Sequence, residues 1–346
     1  VFCRKKPSFI IFTSAVGTET IMFAALSVGL FAAANAKSSL DILVMADWGG
    51  SPNKPYTTSD EVDTAKIMGD VGSKYDADMA WGIGDNFYDN GVKNEYDARF
   101  KETFEDVFTA SSLMHIPFYM VAGNHDHYGN VSGEIAYTKH SSRWQFPDYY
   151  YTQTWKVPNT SYTFQLLMID TVQLVGISHD QEYCDKYGIE DCIIQPRGPA
   201  DAKVAESQYQ WIQDTLSKSD ASFIVVAGHY PIWSIAEHGS TSALVKDLMP
   251  ILQQNNVTAY FSGHDHTFEY IDTGDGIDYV DTGGAHTCDS STAHSGTIPK
   301  DSLKFHGCSD GGFTHIRVDS SGMHTYYYYG SGTSIKYTVA THKARK

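Results

Sequence analysis

Five short clusters along the chain place candidate metal donors beside glycines: Ala46-Asp47-Trp48-Gly49-Gly50, Gly84-Asp85-Asn86-Phe87-Tyr88, Gly123-Asn124-His125-Asp126-His127, Gly228-His229-Tyr230-Pro231 and Gly263-His264-Asp265-His266. Carboxylate, amide and imidazole groups are hard or borderline donors suited to cations, and a neighbouring glycine lets the backbone turn sharply and leave room for an ion. Taken singly, each cluster has an ordinary explanation. A lone Asp after a strand is usually a turn former or helix cap, and a lone His-x-His is usually surface decoration. Five in series, each behind an expected strand, point instead to one metal centre assembled from five loops.

The elements that must position these loops are legible as continuous apolar runs. Ile42 to Ala46, Met79 to Ile83, Phe118 to Ala122, Phe164 to Ile169, Phe223 to Ala227 and Val257 to Phe261 have the length and character of strands buried on both faces. Helical periodicity marks Thr57 to Lys74, Val204 to Leu216 and Ser242 to Gln254, the last requiring a kink or break at Pro250. From Phe268 onward short alternating strands take over, at Phe268 to Asp272, Asp278 to Thr282, Phe313 to Val318 and Met323 to Tyr329. The expected fold class is α/β: two face-to-face mixed β-sheets flanked by helices, a four-layer α/β/β/α sandwich. The clusters fall at the carboxyl ends of strands, where open α/β sheets collect ligands. They run from Asp47 to His266 at even spacing, so residues 37–346 read as a single domain.

The first 36 of the 346 residues differ in character. Arg4, Lys5 and Lys6 precede two apolar runs and the small tripeptide Ala34-Asn35-Ala36, the layout of a secretory signal cleaved after Ala36. A retained anchor is the alternative, although no later stretch is apolar for long enough to span a membrane. The chain as a whole carries 25 Lys plus Arg against 41 Asp plus Glu, a formal net charge of −16. Such a balance repels nucleic acid. An anionic ligand would then have to be attracted by something other than side-chain cations, and bound metal ions would do it. Beyond the leader stand Cys184, Cys192, Cys288 and Cys308, an even number that suggests two disulfides in a secreted chain, with the local pairs 184 with 192 and 288 with 308 expected among three connectivities. Sequons begin at Asn130, Asn159 and Asn256 and permit glycosylation where they are exposed.

The cluster series resembles the signature of the calcineurin-like metallophosphoesterases. Asp47-Trp48-Gly49-Gly50, Tyr88 three residues after Asp85, and Ala236-Glu237-His238-Gly239 after His229 make it similar to the tartrate-resistant, mammalian-type purple acid phosphatases. The resemblance covers roughly residues 40 to 330. It implies a first metal, Fe(III), held by Asp47, Asp85, Tyr88 and His266, and a second held by Asp85, Asn124, His229 and His264, with Asp85 bridging. A carboxylate bridge holds two cations about 3.5–4 Å apart, a spacing that clamps a phosphoryl group and an attacking oxygen together. The phenolate of Tyr88 suits a trivalent ion and would give a charge-transfer colour, whereas the neutral amide and imidazoles suit divalent Zn, Fe(II) or Mn.

The activity implied is acid hydrolysis of phosphate monoesters by a metal-bound hydroxide. His125 and His238 match the family's two non-ligand histidines, expected to bind phosphate and protonate the leaving group. Asp126 is expected either to orient His125 or to form a turn. The segment Ser178 to Ala202 lies where the family carries an exposed loop over the active site. No nucleic-acid partner and no stable membrane span are expected, and the mature chain is expected to be a monomer. Two rivals remain: another dinuclear enzyme, such as a phosphodiesterase or nucleotidase, and a secreted iron-binding glycoprotein.

Overall fold

The computed structural model describes residues 37–345, so the expected signal segment lies outside the described residues. Lys37–Lys346 forms one compact unit. Its strands, in chain order, are β1 (Leu40–Met45), β2 (Met79–Ile83), β3 (Phe118–Val121), β4 (Trp144–Gln145), β5 (Tyr151–Lys156), β6 (Thr163–Met168) and β7 (Phe223–Ala227). They continue with β8 (Ala259–Ser262), β9 (Phe268–Asp272), β10 (Asp278–Thr282), β11 (Leu303–Gly307), β12 (Gly312–Asp319), β13 (Gly322–Tyr329) and β14 (Tyr337–Thr338). Two seven-stranded sheets result, one ordered β14-β13-β12-β1-β2-β3-β4 and the other β11-β9-β10-β8-β7-β6-β5.

Both sheets are mixed, as expected, with a parallel block at the centre. β1 to β4 run parallel, and β12 joins β1 antiparallel. In the second sheet β6, β7, β8 and β10 run parallel. Within these blocks β1, β2, β3, β6, β7 and β8 are the strands read as continuous apolar runs, and every residue of β1, β2 and β7 is buried.

Alternation along β6 shows why the layers stack. Phe164, Leu166 and Met168 enter a core shared with Ile42 and Val44 of the first sheet. Leu167 faces the other way, packing with Ile212 and Leu216 of the helix Ala202–Ser217. On the far side of the first sheet, the helix Ser59–Tyr75 buries Ile67, Met68 and Val71. It begins with a capping box in which Thr58 and Glu61 satisfy each other's backbone N–H groups.

The helical stretch Ser242 to Gln254 breaks into Ser242–Asp247 and Met249–Gln254, with Pro250 in the first turn of the second piece, where its missing N–H costs nothing. Strands β4, β5, β11 and β14 escaped the sequence reading. β5 (Tyr-Thr-Gln-Thr-Trp-Lys) and β11 are edge strands whose polar residues face solvent, so neither shows an apolar run.

Candidate metal centre

The five loops leave the carboxyl ends of β1, β2, β3, β7 and β8, and so meet where the two parallel blocks end together. Tight backbone geometry is needed to bring them so close. Asp47, Asp85 and His264 all sit at positive φ (53°, 50° and 73°), a region that side-chain-bearing residues rarely occupy outside functional turns. A Cβ on Gly123 would lie 2.2 Å from Asp85 Oδ1, and one on Gly263 would lie 2.3 Å from Asp47 Oδ2, so glycine alone admits the two carboxylates. The sheets are also tied across the site: the backbone N–H of His264 donates to Asp47 Oδ2 at 2.9 Å.

All seven side chains expected to hold metal converge. On one side Tyr88 Oη lies 3.1 Å from Asp47 Oδ1, 3.2 Å from Asp85 Oδ2 and 3.0 Å from His266 Nε2. On the other, His229 Nε2 lies 3.0 Å from Asn124 Oδ1 and 3.3 Å from Asp85 Oδ2. Asp85, His229 and His264 offer donor atoms that all lie within 4.8 Å of one another. The same Asp85 oxygen therefore faces both the phenol side and the imidazole side. His229 Nδ1 lies 3.2 Å from the Ile83 carbonyl, which fixes the tautomer that turns a lone pair on Nε2 into the site.

The electrostatics fit cations. Burial disfavours a charge on Asp85, but the His229 and His125 imidazoles outweigh it and hold the carboxyl well below its usual value. Burial, with the Asp47 and Asp85 carboxylates adding to it, pushes the Tyr88 phenol well above its usual value. Burial opposes a charge on His229, yet Asp85 and Asp47 raise it to about 9, whereas burial beside His238 and His229 drives His264 well down. Two buried carboxylates, a phenol and an amide oxygen thus gather around imidazoles with no Lys or Arg in the set. That donor chemistry calls for metal ions to balance it.

The two non-ligand histidines stand at the entrance, a cavity of about 120 Å³ whose rim also carries Asp180, Glu182 and Glu237. His125 is held through its ring, with Nδ1 2.6 Å from the Asp89 carbonyl and Nε2 3.7 Å from Asp180. Asp85 and Asp180 overcome the effect of burial and raise its pKa. His238 stacks on His264, ring centres 4.2 Å apart.

Asp126 does not orient His125. Its buried carboxylate instead accepts the N–H groups of Asn86, Phe87 and Gly123 at 2.8–3.1 Å, lashing the Asp85 loop to the Asn124 loop. Arg99, overlooked in the sequence, donates to the carbonyls of Tyr88 and Gly49 and fastens the first and second loops from behind. Its only signal was a basic residue in an acidic stretch. His127 pairs with buried Asp170 at 2.8 Å rather than entering the centre, and His286 stacks against Tyr88 at 4.5 Å.

Residues 40–268 match the calcineurin-like phosphoesterase family. Over 310 residues the chain is 43% identical to tartrate-resistant acid phosphatase type 5 of Mus musculus, covering 89% of this chain and 92% of that one. The human protein of the same name is 42% identical over 313 residues, covering 90% and 93%. The chain belongs to the tartrate-resistant acid phosphatases. The fold recurs in a solved structure described as GAP50, the anchor in the inner membrane complex of Plasmodium, at a TM-score of 0.70 and 22% identity over 90% of each chain.

Membership in the tartrate-resistant acid phosphatase family implies a dinuclear metal centre, and the convergence above is the place in the chain that can hold it. The segment Ser178 to Ala202 lies against this centre. Its Ser178 carbonyl accepts from Tyr128 and Asn124, and Gln195 donates to the His238 carbonyl at 2.5 Å. Disulfides join Cys184 to Cys192 within the segment and Cys288 to Cys308 beyond it, the two local pairs expected. Asn130, Asn159 and Asn256 are all exposed. No helix among the described residues is long and apolar enough to cross a membrane.

Proposed function

We propose that the chain is a secreted acid phosphatase that hydrolyses phosphate monoesters at a dinuclear Fe(III)–M(II) centre. Asp47, Asp85, Tyr88 and His266 would hold the trivalent ion, and Asp85, Asn124, His229 and His264 the divalent one. The observation that carries the reading is the position of Asp85, whose carboxylate faces both donor groups at once. Bound there, the two cations supply charge to neutralise the phosphoryl oxygens and acidify water.

The protein's own part is to bind, orient and move protons. His125 presents Nε2 to the cavity because its other ring nitrogen is engaged by the Asp89 carbonyl, and its raised pKa favours the charged form that grips a phosphate oxygen. His238 stands at the same entrance and delivers a proton to the departing alkoxide. The grip of His125 needs its charged form, which is lost as the pH rises through its raised value, so activity falls on the alkaline side. Two disulfides and three exposed sequons support an extracellular or lumenal setting.

The test is release of phosphate from an aryl monoester by purified protein, compared with His125→Ala and His238→Ala variants whose metal content is measured. Loss of turnover in both with metals retained is the expected result; undiminished turnover in either would remove that histidine from the reaction.

A further inference from the structure

Three histidines of the centre are oriented in two different ways. His125 and His229 each have Nδ1 engaged by a backbone carbonyl, of Asp89 and Ile83. The Nδ1 of His238 is buried and has no hydrogen-bond partner among the described residues. Its ring has a face against His264 but no ring hydrogen bond to set its place, so the backbone beneath it must do so.

That backbone is held by one side chain. Asp265 is wholly buried between His264 and His266, and its carboxylate turns away from the metal donors toward the loop 234–239. Oδ1 accepts the His238 N–H at 2.7 Å and Oδ2 accepts the Gly239 N–H at 3.1 Å, with Gly239 in the left-handed region (φ 69°). Ser234 Oγ also donates to Oδ2 and in turn accepts the Ala236 N–H at 3.1 Å. Both ends of the loop are thus tied to a carboxylate that stands on the same four-residue turn as two of the expected ligands. Glu269 extends the support by accepting the Ile235 N–H at 3.1 Å.

We propose that Asp265 is the positioning residue for His238, fixing the distance between that imidazole and the metal centre through the backbone of the loop 234–239. The proposal rests on the reading of His238 as the proton donor to the leaving group. If it holds, weakening Asp265 misplaces a proton donor and not the cations, so the damage falls on esters whose leaving group needs the proton. A 4-nitrophenolate leaves without much help, whereas an alkoxide does not.

The experiment measures kcat and KM for 4-nitrophenyl phosphate and for a simple alkyl phosphate, in wild type, Asp265→Asn, Ser234→Ala, His238→Ala and the double variant Asp265→Asn/His238→Ala, with metal content recorded for each. D265N is expected to keep its metals and to lose at least about 10-fold more kcat on the alkyl ester than on the aryl ester. S234A, which leaves both backbone contacts of Asp265 in place and removes the hydroxyl that links Asp265 to the Ala236 N–H, should show the same split at about 3-fold. In the H238A background, D265N should add less than about 3-fold, because the two changes disable one device.

Equal losses on both esters, or a full additional loss in the double variant, would overturn the proposal and make Asp265 a support of the metal turn alone. A steep leaving-group effect in H238A with none in D265N or S234A would overturn the link while leaving the reading of His238 intact. An H238A variant equally impaired on both esters would overturn that reading, and the proposal with it.

Discussion

The two halves of the centre are built from different chemistry. One gathers Asp47, Tyr88 and His266, and the other Asn124, His229 and His264, with Asp85 between them. The first half is anionic once its phenol ionises, and the second offers an amide and two imidazoles, which are neutral in the form that donates to a metal. A protein that needs two ions of different charge can sort them by making the halves unequal, since hard anionic oxygen favours the trivalent ion and imidazole and amide favour the divalent one. The scaffold is unequal as well. Arg99 secures the backbone of Gly49 and Tyr88 behind the anionic half, whereas Ser178 of the stapled segment lies against Asn124 and His264 in the neutral half.

The largest effect should come from removing the group both halves share. Asp85→Ala is expected to lose both ions and to reduce turnover of an aryl phosphate by on the order of 10³-fold or more, as removal of several kcal/mol of charge stabilisation implies. Retention of either ion at full occupancy would break the claim that the halves are joined through Asp85. Next, His229→Ala should lower divalent-metal content and reduce turnover by roughly 10²-fold, while leaving the visible band of the anionic half in place. Loss of the band together with the divalent ion would mean the halves do not bind separately.

A smaller effect is expected in the pH profile. His125 is raised by Asp85 and Asp180 against burial, so its charged form persists above the ordinary value near 6.5 and is lost as the pH climbs through the raised one. Activity should therefore fall on the alkaline side, and His125→Ala should flatten that limb while changing metal content little. The smallest effect lies far from both halves. His342 is raised chiefly by Asp278, whose Oδ2 lies 2.8 Å from its Nε2. A raised folded-state value contributes stability that is complete below the unfolded value near 6.5 and lost as pH rises through the folded one. Unfolding free energies of wild type and His342→Asn from urea titration should thus differ by no more than about 1 kcal/mol at pH 5.5 and converge by pH 8.5, with the visible spectrum unchanged throughout.

The centre was legible in the sequence because each of its loops is a short motif at the end of a buried strand, where residue type and neighbour suffice. What holds the loops was not. Asp126 and Asp265 lie inside the same motifs, yet the first serves backbone N–H groups of another loop and the second reaches a loop about 30 residues upstream, and neither direction can be read from neighbours in sequence. Arg99 acts through two carbonyls fifty and eleven residues away. The fold divides in the same way. Central strands such as β1 and β7 announce themselves by apolar runs, while the edge strands β5 and β11 are specified by pairing with β6 and β9, a long-range property that a polar stretch of chain does not display.

The central claim, that the halves hold ions of different charge, is tested most directly by metal analysis of the purified protein joined to its visible spectrum, in wild type and Tyr88→Phe. The account predicts one iron and one further divalent ion per chain, a visible band in the wild type, and loss of that band in Y88F with the divalent ion retained. A colourless wild-type protein without iron, or a band that survives in Y88F, would contradict it.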